Sequence, residues 1–381
     1  MKLNILYIAA DFGGVHQSLH QALIRTGECE TTIYIPLNYR LRNRTYPNYL
    51  PDGSRVICSS VASKWDVLFY KRKIRKKLNY ILKQDVDWSK IDLIHATTCC
   101  VEGAIAYELS KRFSIPYVLA VRNTDVNSYY RYMIFHRWYF HCIMEYSRYV
   151  VFLSNAYQER FFKLIPKSVR RMLASKSGII YNGIISFYLL NRNPVHSLSK
   201  SNIRIITVGT ISHNKNQLNL IKAIRLLRSE GFPIGYTIVG KGKCGEEKKY
   251  LQKIEKEAAY EDWISVLPEQ PKERLLELYR QSDFFALCSF HETFGLVYAE
   301  ALSQGLPILY SENEGFDNVF SEGEVGFHTN PSSAQDIAER LRDLIAKYDE
   351  FADRITNLSL LQFDWNDIAK QFLLLYQKKC I

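Results

Sequence analysis

Glu292 and Glu300 stand eight residues apart in the run Cys288-Ser289-Phe290-His291-Glu292-Thr293-Phe294-Gly295-Leu296-Val297-Tyr298-Ala299-Glu300-Ala301-Leu302-Ser303-Gln304-Gly305-Leu306-Pro307. A buried strand leads into this block, a Glu sits in the turn, and a helix begins near Gly295. In an open α/β sheet, ligands bind at the carboxyl ends of strands. A helix N-terminus placed there offers free backbone N–H groups and a positive dipole end, which suit a diphosphate. Gly295 would let the backbone approach a ligand where a side chain would collide with it. Glu300 lies one turn beyond Leu296, so its carboxylate can face the same ligand and accept hydrogen bonds from vicinal ribose hydroxyls. Glu292, on the loop, is placed to meet a sugar. Two glutamates at this spacing are by themselves commonplace as solvated charges. The preceding strand, the Gly at the helix start and the Gly305-Leu306-Pro307 lead into the next strand turn them into a site.

Such a block needs strands and helices in alternation to hold it. Short apolar runs at Leu3 to Ala9, Thr31 to Ile35, Leu93 to Ala96, Tyr117 to Val121, Tyr149 to Leu153 and Gly178 to Tyr181 read as strands, with helix-period segments between several of them. That alternation implies parallel strands joined by right-handed crossovers, a doubly wound α/β domain. The polar, aperiodic stretch Asn191 to Ser201 reads as a linker. The pattern then restarts at Ile203 to Val208, Ile234 to Val239, Ile264 to Leu267, Phe284 to Cys288 and Pro307 to Tyr310. Two Rossmann-like domains are expected, residues 1–195 and 196–381. A last helix, Trp365 to Tyr376, with Ile368, Phe372 and Leu375 on one face, is free to pack back on the first domain.

Size and composition agree. At 381 residues the chain exceeds what one core usually serves. An apolar fraction of 47% and a charged fraction of 23% exclude a disordered or fibrous chain. No apolar run reaches the roughly 18 residues of a membrane span. The opening Met1 to Ala10 superficially resembles a signal peptide, but Asn4 interrupts it and Asp11 ends it, so it reads as a first buried strand. The eight cysteines (Cys29, Cys58, Cys99, Cys100, Cys142, Cys244, Cys288, Cys380) lack C-x-x-C spacing, which points to a reducing cytoplasm and no structural zinc. Charge divides unevenly: residues 1–200 hold 29 Lys plus Arg against 13 Asp plus Glu, a net +16, leaving 21 against 26, a net −5, for the rest. Asymmetry of this kind points to an anionic partner for the first half.

The Glu292 to Glu300 block resembles the E-x7-E signature of family 4 glycosyltransferases, retaining enzymes with the GT-B fold, two Rossmann-like domains facing a central cleft. Features along nearly the whole chain agree. Val208-Gly209-Thr210-Ile211-Ser212-His213-Asn214-Lys215 is similar to the family's strand, Gly and downstream Lys on the donor phosphates. Ile238-Val239-Gly240-Lys241-Gly242 resembles its next strand and Gly loop, near the nucleotide base; Tyr181-Asn182-Gly183 resembles the turn closing the first domain. Asp11-Phe12-Gly13-Gly14 resembles the first-domain glycine loop that faces the donor.

The resemblance implies hexose transfer from a UDP- or GDP-sugar to a glycan or lipid-linked acceptor, in bacterial surface polysaccharide biosynthesis, with no cofactor. Lys215 and the helix at Gly295 would stabilise charge developing on the leaving diphosphate, which itself helps to deprotonate the acceptor. Glu292 would orient the hexose and support positive character at the anomeric carbon. Gly13, Gly14, Gly209, Thr210, Gly240, Phe294, Gly295, Leu296 and Glu300 would bind the donor. Two departures stand out: Thr210 replaces the usual Arg, leaving Lys241 or Lys243 as substitutes, and Arg122-Asn123-Thr124-Asp125 replaces a His after the strand Tyr117 to Val121. Acceptor contacts are therefore expected from His95, Arg122, Asn123 and Asp125.

Other readings are weaker. Asp85-Val86-Asp87 is a D-x-D, but it follows a basic amphipathic stretch rather than a buried strand, so no catalytic metal is expected. Gly13-Gly14 lacks the G-x-G-x-x-G of a dehydrogenase. A nonhydrolysing nucleotide-sugar epimerase shares the architecture and is the alternative enzyme. Lys71-Arg72-Lys73-Ile74-Arg75-Lys76-Lys77, with Val67, Tyr70, Ile74, Leu78 and Ile81 at helical spacing, predicts a helix with one apolar and one basic face. Together with Arg160 to Leu173, it suggests a cytoplasmic protein peripheral to the anionic inner face of the plasma membrane, and no nucleic acid partner.

Overall fold

In a computed structural model, residues 2–193, 198 and 201–379 are described, without the side chains of Val67 and Lys379. The linker read at Asn191 to Ser201 and the boundary at 195/196 fall largely on residues outside that set, as does Cys380. The chain divides into two compact units, one of residues 1–153, 158–183 and 365–381, the other of residues 154–157 and 184–364.

The first unit holds seven parallel strands, β1 (Leu3–Ile8), β2 (Cys29–Pro36), β3 (Arg55–Ser59), β4 (Leu93–Ala96), β5 (Tyr117–Val121), β6 (Tyr149–Phe152) and β7 (Ser177–Ile179), in the order β3-β2-β1-β4-β5-β6-β7. Strands β1, β4 and β5 are almost wholly buried, as strands covered by helices on both faces must be. β3 escapes sequence reading because it is a short edge strand after the Asp52-Gly53-Ser54 turn, with a polar start. The helix Trp365–Lys379 lies in this unit: Trp365, Ile368, Phe372 and Tyr376 join Tyr7, Leu23 and Val118 in one apolar core.

The second unit holds six parallel strands, β8 (Ile203–Val208), β9 (Ile234–Val239), β10 (Ile264–Leu267), β11 (Phe284–Ala286), β12 (Ile308–Ser311) and β13 (Gly326–Thr329), in the order β10-β9-β8-β11-β12-β13. β13 is an edge strand beginning at Gly326, where an added Cβ would overlap the Ile308 carbonyl. It carries little apolar periodicity. Residues 184–190, assigned by sequence to the first domain, belong here. Ile184 N–H donates to the Phe363 carbonyl at 3.0 Å, and the Tyr188 carbonyl accepts from Gln304 at 3.3 Å.

The basic helix departs from its expected form. It spans Tyr70–Leu82, after a separate 3-10 turn at Lys64–Val67. Tyr70, Ile74 and Ile81 are buried within the first unit, and Lys77 is buried with them, its ammonium donating to the Pro36 carbonyl at 2.6 Å. Burial pushes the Lys77 ammonium down to about 8. Lys73 donates to the Tyr129 hydroxyl at 2.8 Å, and Lys76 pairs with buried Asp66 at 2.9 Å. The helix's apolar face thus completes the core, and only part of its charge faces water. The Arg160 to Leu173 segment is two helices, Asn155–Leu164 and Lys167–Ala174, broken before Pro166, with Phe161, Ile165 and Leu173 turned inward.

Candidate active site

Strand order in the second unit reverses between β8 and β11, and a ligand crevice is expected outside the carboxyl ends of strands at such a point. The loops leaving those two strands carry Lys215 and Glu292. After β8 the chain turns at Gly209 and Thr210, makes a 3-10 turn over His213–Lys215, and enters the helix Gln217–Ser229 through Asn216 at φ +61°. Asparagine tolerates that left-handed backbone. Its buried amide donates to the carbonyls of Cys288 at 2.9 Å and Pro331 at 2.6 Å, fastening one loop to the other. Asn214 adds a bond to the His291 carbonyl at 2.9 Å and accepts from the Phe290 N–H at 2.8 Å.

Across that joint the Lys215 ammonium and the Glu292 carboxylate form an ion pair, 20% and 13% exposed. Glu292 Oε1 also accepts from the Thr293 N–H at 3.1 Å. Its backbone is clamped in turn: the Glu292 N–H donates to Glu314 Oε2 at 2.8 Å, and its carbonyl accepts from the Gly315 N–H at 2.8 Å. Gly315 fits against Thr293 and Phe294 so closely that a Cβ would overlap their backbone. A cation and a carboxylate are therefore held by rigid loops and remain partly open to solvent, where each can exchange its partner for a ligand.

Gly295 adopts φ +83° and precedes the helix Leu296–Ser303. A Cβ there would meet the Tyr298 ring at 2.5 Å. The glycine is thus required by the chain's own Tyr298, whose hydroxyl donates to the Leu287 carbonyl at 2.5 Å, rather than only by a ligand as the sequence suggested. No side chain caps this helix, so its first-turn N–H groups remain an anion-binding end. Phe294 is buried against Phe316 and Phe363, at ring separations of 5.8 and 5.9 Å. Only its backbone is placed to serve a donor. Leu296 is half-buried at the helix start.

Glu300 lies apart from the ion pair, receiving the Tyr279 hydroxyl at 3.3 Å. Burial pushes its carboxyl up to about 7, against the lowering effect of the Tyr279 bond. A carboxylate so placed gains from any hydroxyl donors brought to it. At the ends of β8, β9 and β10 lies a cavity of about 280 Å³ lined by Gly209, Thr210, Gly240, Lys241, Lys243 and Glu269 among others. Gly209 and Gly240 face each other there, and a Cβ on Gly240 would overlap the Gly209 carbonyl. Thr210 offers no charge, and its carbonyl accepts from Gln217 at 3.1 Å. Lys241 is paired with Glu269.

In the first unit, Gly14 (φ +50°) starts the helix Val15–Arg25, and the Gly13 N–H donates to the Asp11 carbonyl at 3.2 Å. His95 is a core residue, 3% exposed, bonded through Nδ1 to the Tyr376 hydroxyl at 2.5 Å and packed on Tyr7 at 4.9 Å. Burial, then the Arg122 charge, push it down to about 3. Asp125 is equally buried, accepting from the N–H groups of Cys99, Cys100 and Arg122 at 3.2, 2.8 and 2.9 Å. Burial raises its carboxyl to about 6 despite those bonds. Both side chains are committed to the fold, which removes them from direct contact with an acceptor. Arg122 donates through Nε to the Thr97 carbonyl at 2.8 Å, and Asn123 accepts from Asn127 at 2.8 Å.

Asp87 caps the 3-10 turn Trp88–Lys90, accepting from the Ser89 N–H at 3.2 Å, and is exposed. Among the described residues no three His, Cys, Asp or Glu side chains gather as metal ligands would, the described cysteines are free, and no helix is long and apolar enough to cross a membrane. Sequence reading missed Asn216, Tyr279, Glu314 and Gly315. Only Asn-Glu-Gly after β12, a turn signal at a strand's carboxyl end, could have directed attention to Glu314 and Gly315.

Residues 192–358 match the family model "Glycosyl transferases group 1". A mannosyltransferase acting from GDP-mannose on cellobiosyl-diphosphopolyprenol, from Komagataeibacter xylinus, is 27% identical over 181 residues, 46% of this chain and 46% of that protein. The chain thus spans about half the length of the curated relatives it matches. Sucrose-phosphate synthase from Thermosynechococcus elongatus superimposes with a TM-score of 0.74 at 18% identity, over 99% of both chains. The Anabaena protein HepE, solved with UDP and glucose, gives 0.69 at 17%, covering 99% of this chain and 100% of that one. By sequence the match to the group 1 glycosyl transferases is confined to residues 192–358, and over its whole length the chain shares the GT-B fold of these solved structures.

Proposed function

We propose that this protein transfers a hexosyl group from a UDP- or GDP-sugar to a glycan or lipid-linked acceptor, with retention at the anomeric carbon and without a catalytic metal, on the cytoplasmic side of a bacterium building surface polysaccharide. The observation that carries this reading is the Lys215–Glu292 ion pair, held by two clamped loops at the strand-order reversal. A donor diphosphate arriving there competes for Lys215 and takes the uncapped N-terminus of the helix Leu296–Ser303. Glu292, released from the lysine, then accepts from the hexose hydroxyls and faces the developing positive charge at the anomeric carbon. The cavity between Gly209, Gly240 and Lys243 suits a base, and the Glu300 carboxylate suits vicinal ribose hydroxyls. The leaving diphosphate oxygen takes the acceptor proton. The sequence resemblance alone assigns Gly13 and Gly14 to the donor and Arg122 and Asn123 to the acceptor. The polyprenol-linked acceptor in the name of the Komagataeibacter relative supports the lipid-linked choice. Purified protein should hydrolyse one nucleotide-sugar slowly and be thermally stabilised by it; stabilisation by none of a panel of UDP- and GDP-hexoses would refute the reading.

A further inference from the structure

The first unit presents an apolar, aromatic apex away from any core. Phe135 is fully exposed, Trp138 is 75% exposed and Leu68 71%, with Trp65, Phe69 and Ile134 all above half. These six come from two separate stretches that meet. Tyr70, directly after Leu68 and Phe69, sets its ring edge-on against His136 at 5.0 Å and against Phe140 at 5.5 Å. His136 itself follows Ile134 and Phe135. A single soluble surface rarely gathers so many large apolar side chains unless something covers them.

Charge says what the cover is. From Val67 to Gln84, and again from Val126 to Met144, the sequence holds no acid. The acids that bound these stretches on the near side, Asp66 and Asp125, are both buried and bonded. Lys64, Lys71, Arg72 and Arg131 are exposed on these two stretches, Arg72 within 3.6 Å of the buried Asp66 carboxylate, and burial first, then the Lys71 charge, lowers the His136 pKa. A second copy of the chain docking face to face would set this cationic rim against itself, a repulsive arrangement. A bilayer with anionic headgroups satisfies both features: aromatic side chains seat at the headgroup boundary while cations meet the phosphates. We propose that the apex formed by Trp65, Leu68, Phe69, Ile134, Phe135 and Trp138 inserts into the interface of an anionic membrane, with Lys64, Lys71, Arg72 and Arg131 as its electrostatic rim. This replaces the apolar face of the helix Tyr70–Leu82, which is occupied by the core, and it stands whether or not the transfer reading holds.

The test uses the full chain and the triple variant Phe69→Ser, Phe135→Ser, Trp138→Ser, sedimented with vesicles of phosphatidylcholine alone or mixed with phosphatidylglycerol. Wild type is expected to pellet with the anionic vesicles, with tryptophan emission shifted blue and quenched by lipids brominated in the upper acyl chain. The triple variant should need at least ten times more lipid for half-binding, with its thermal unfolding and its thermal shift by nucleotide unchanged, since all three side chains are more exposed than buried and none belongs to the core. Equal pelleting of the two proteins, pelleting without acyl-chain quenching, or a wild-type dimer that the triple variant converts to monomer would each overturn the proposal.

Discussion

Glu300→Gln separates donor binding from stability in a way that depends on pH. In the free protein, burial moves this carboxyl from 4.5 to about 7. The folded state therefore favours the neutral acid. Its share of stability is complete below about pH 4.5 and is lost as pH rises through 7, because the unfolded chain ionises freely while the folded chain resists. At about 1.4 kcal/mol per tenfold, the gap sets an upper bound of about 3.5 kcal/mol on the penalty above pH 7, reduced by the water that reaches the half-buried side chain. Glutamine keeps the shape and removes the penalty. The variant should match wild type near pH 4.5 and gain progressively to pH 7, by up to about 6 °C in Tm at roughly 2–4 °C per kcal/mol after that reduction. No further gain is expected above pH 7. Nucleotide binding should show the opposite pattern. Wild-type affinity rises through pH 7 as the carboxylate forms to accept ribose hydroxyls, and the variant binds about tenfold more weakly at pH 8 with little pH dependence. Scanning calorimetry and titration calorimetry at about pH 5 and pH 8 read both. A Tm difference independent of pH, or unchanged nucleotide affinity, would refute the reasoning.

Lys215→Ala and Glu292→Gln should each lower turnover on the order of 100-fold, as removal of a preorganised charge does, read in a steady-state transfer assay with the donor identified. Excess EDTA should leave that turnover largely intact; loss restored by Mn²⁺ or Mg²⁺ would contradict the metal-free proposal. Gly295→Ala should lower Tm by several degrees, because the left-handed backbone and the Tyr298 ring both oppose a Cβ. Lys77→Glu should prevent folding by burying an anion against the Pro36 carbonyl, while Lys71→Glu should unfold with wild-type Tm; circular dichroism on both variants distinguishes a core lysine from a surface one.

Much of this was legible in the order of residues. Alternating apolar runs marked five of the six strands in the second unit and six of the seven in the first, since strands buried on both faces must be apolar throughout. The Glu292 to Glu300 block, the lysine after β8 and the glycines at strand ends could be read because strand ends, turns and helix starts follow local backbone chemistry. What local chemistry does not specify is which side chains meet. That Lys215 pairs with Glu292, 77 residues away, follows from β8 and β11 lying side by side. That Glu314 clamps the Glu292 backbone requires the β12 loop to return beneath it. His95, which by position at a strand end was free to face a substrate, is instead closed over by Tyr376 of the last helix, 281 residues on. The basic helix misled in the same way. Period and charge show that it has two faces, but only packing decides that the apolar face and Lys77 enter the core, leaving the exposed aromatics just before the helix and around Phe135 as the apolar surface. Sequence determined the elements and the chemistry they could carry; tertiary contact, which depends on distance in space and not along the chain, decided which residues carry it.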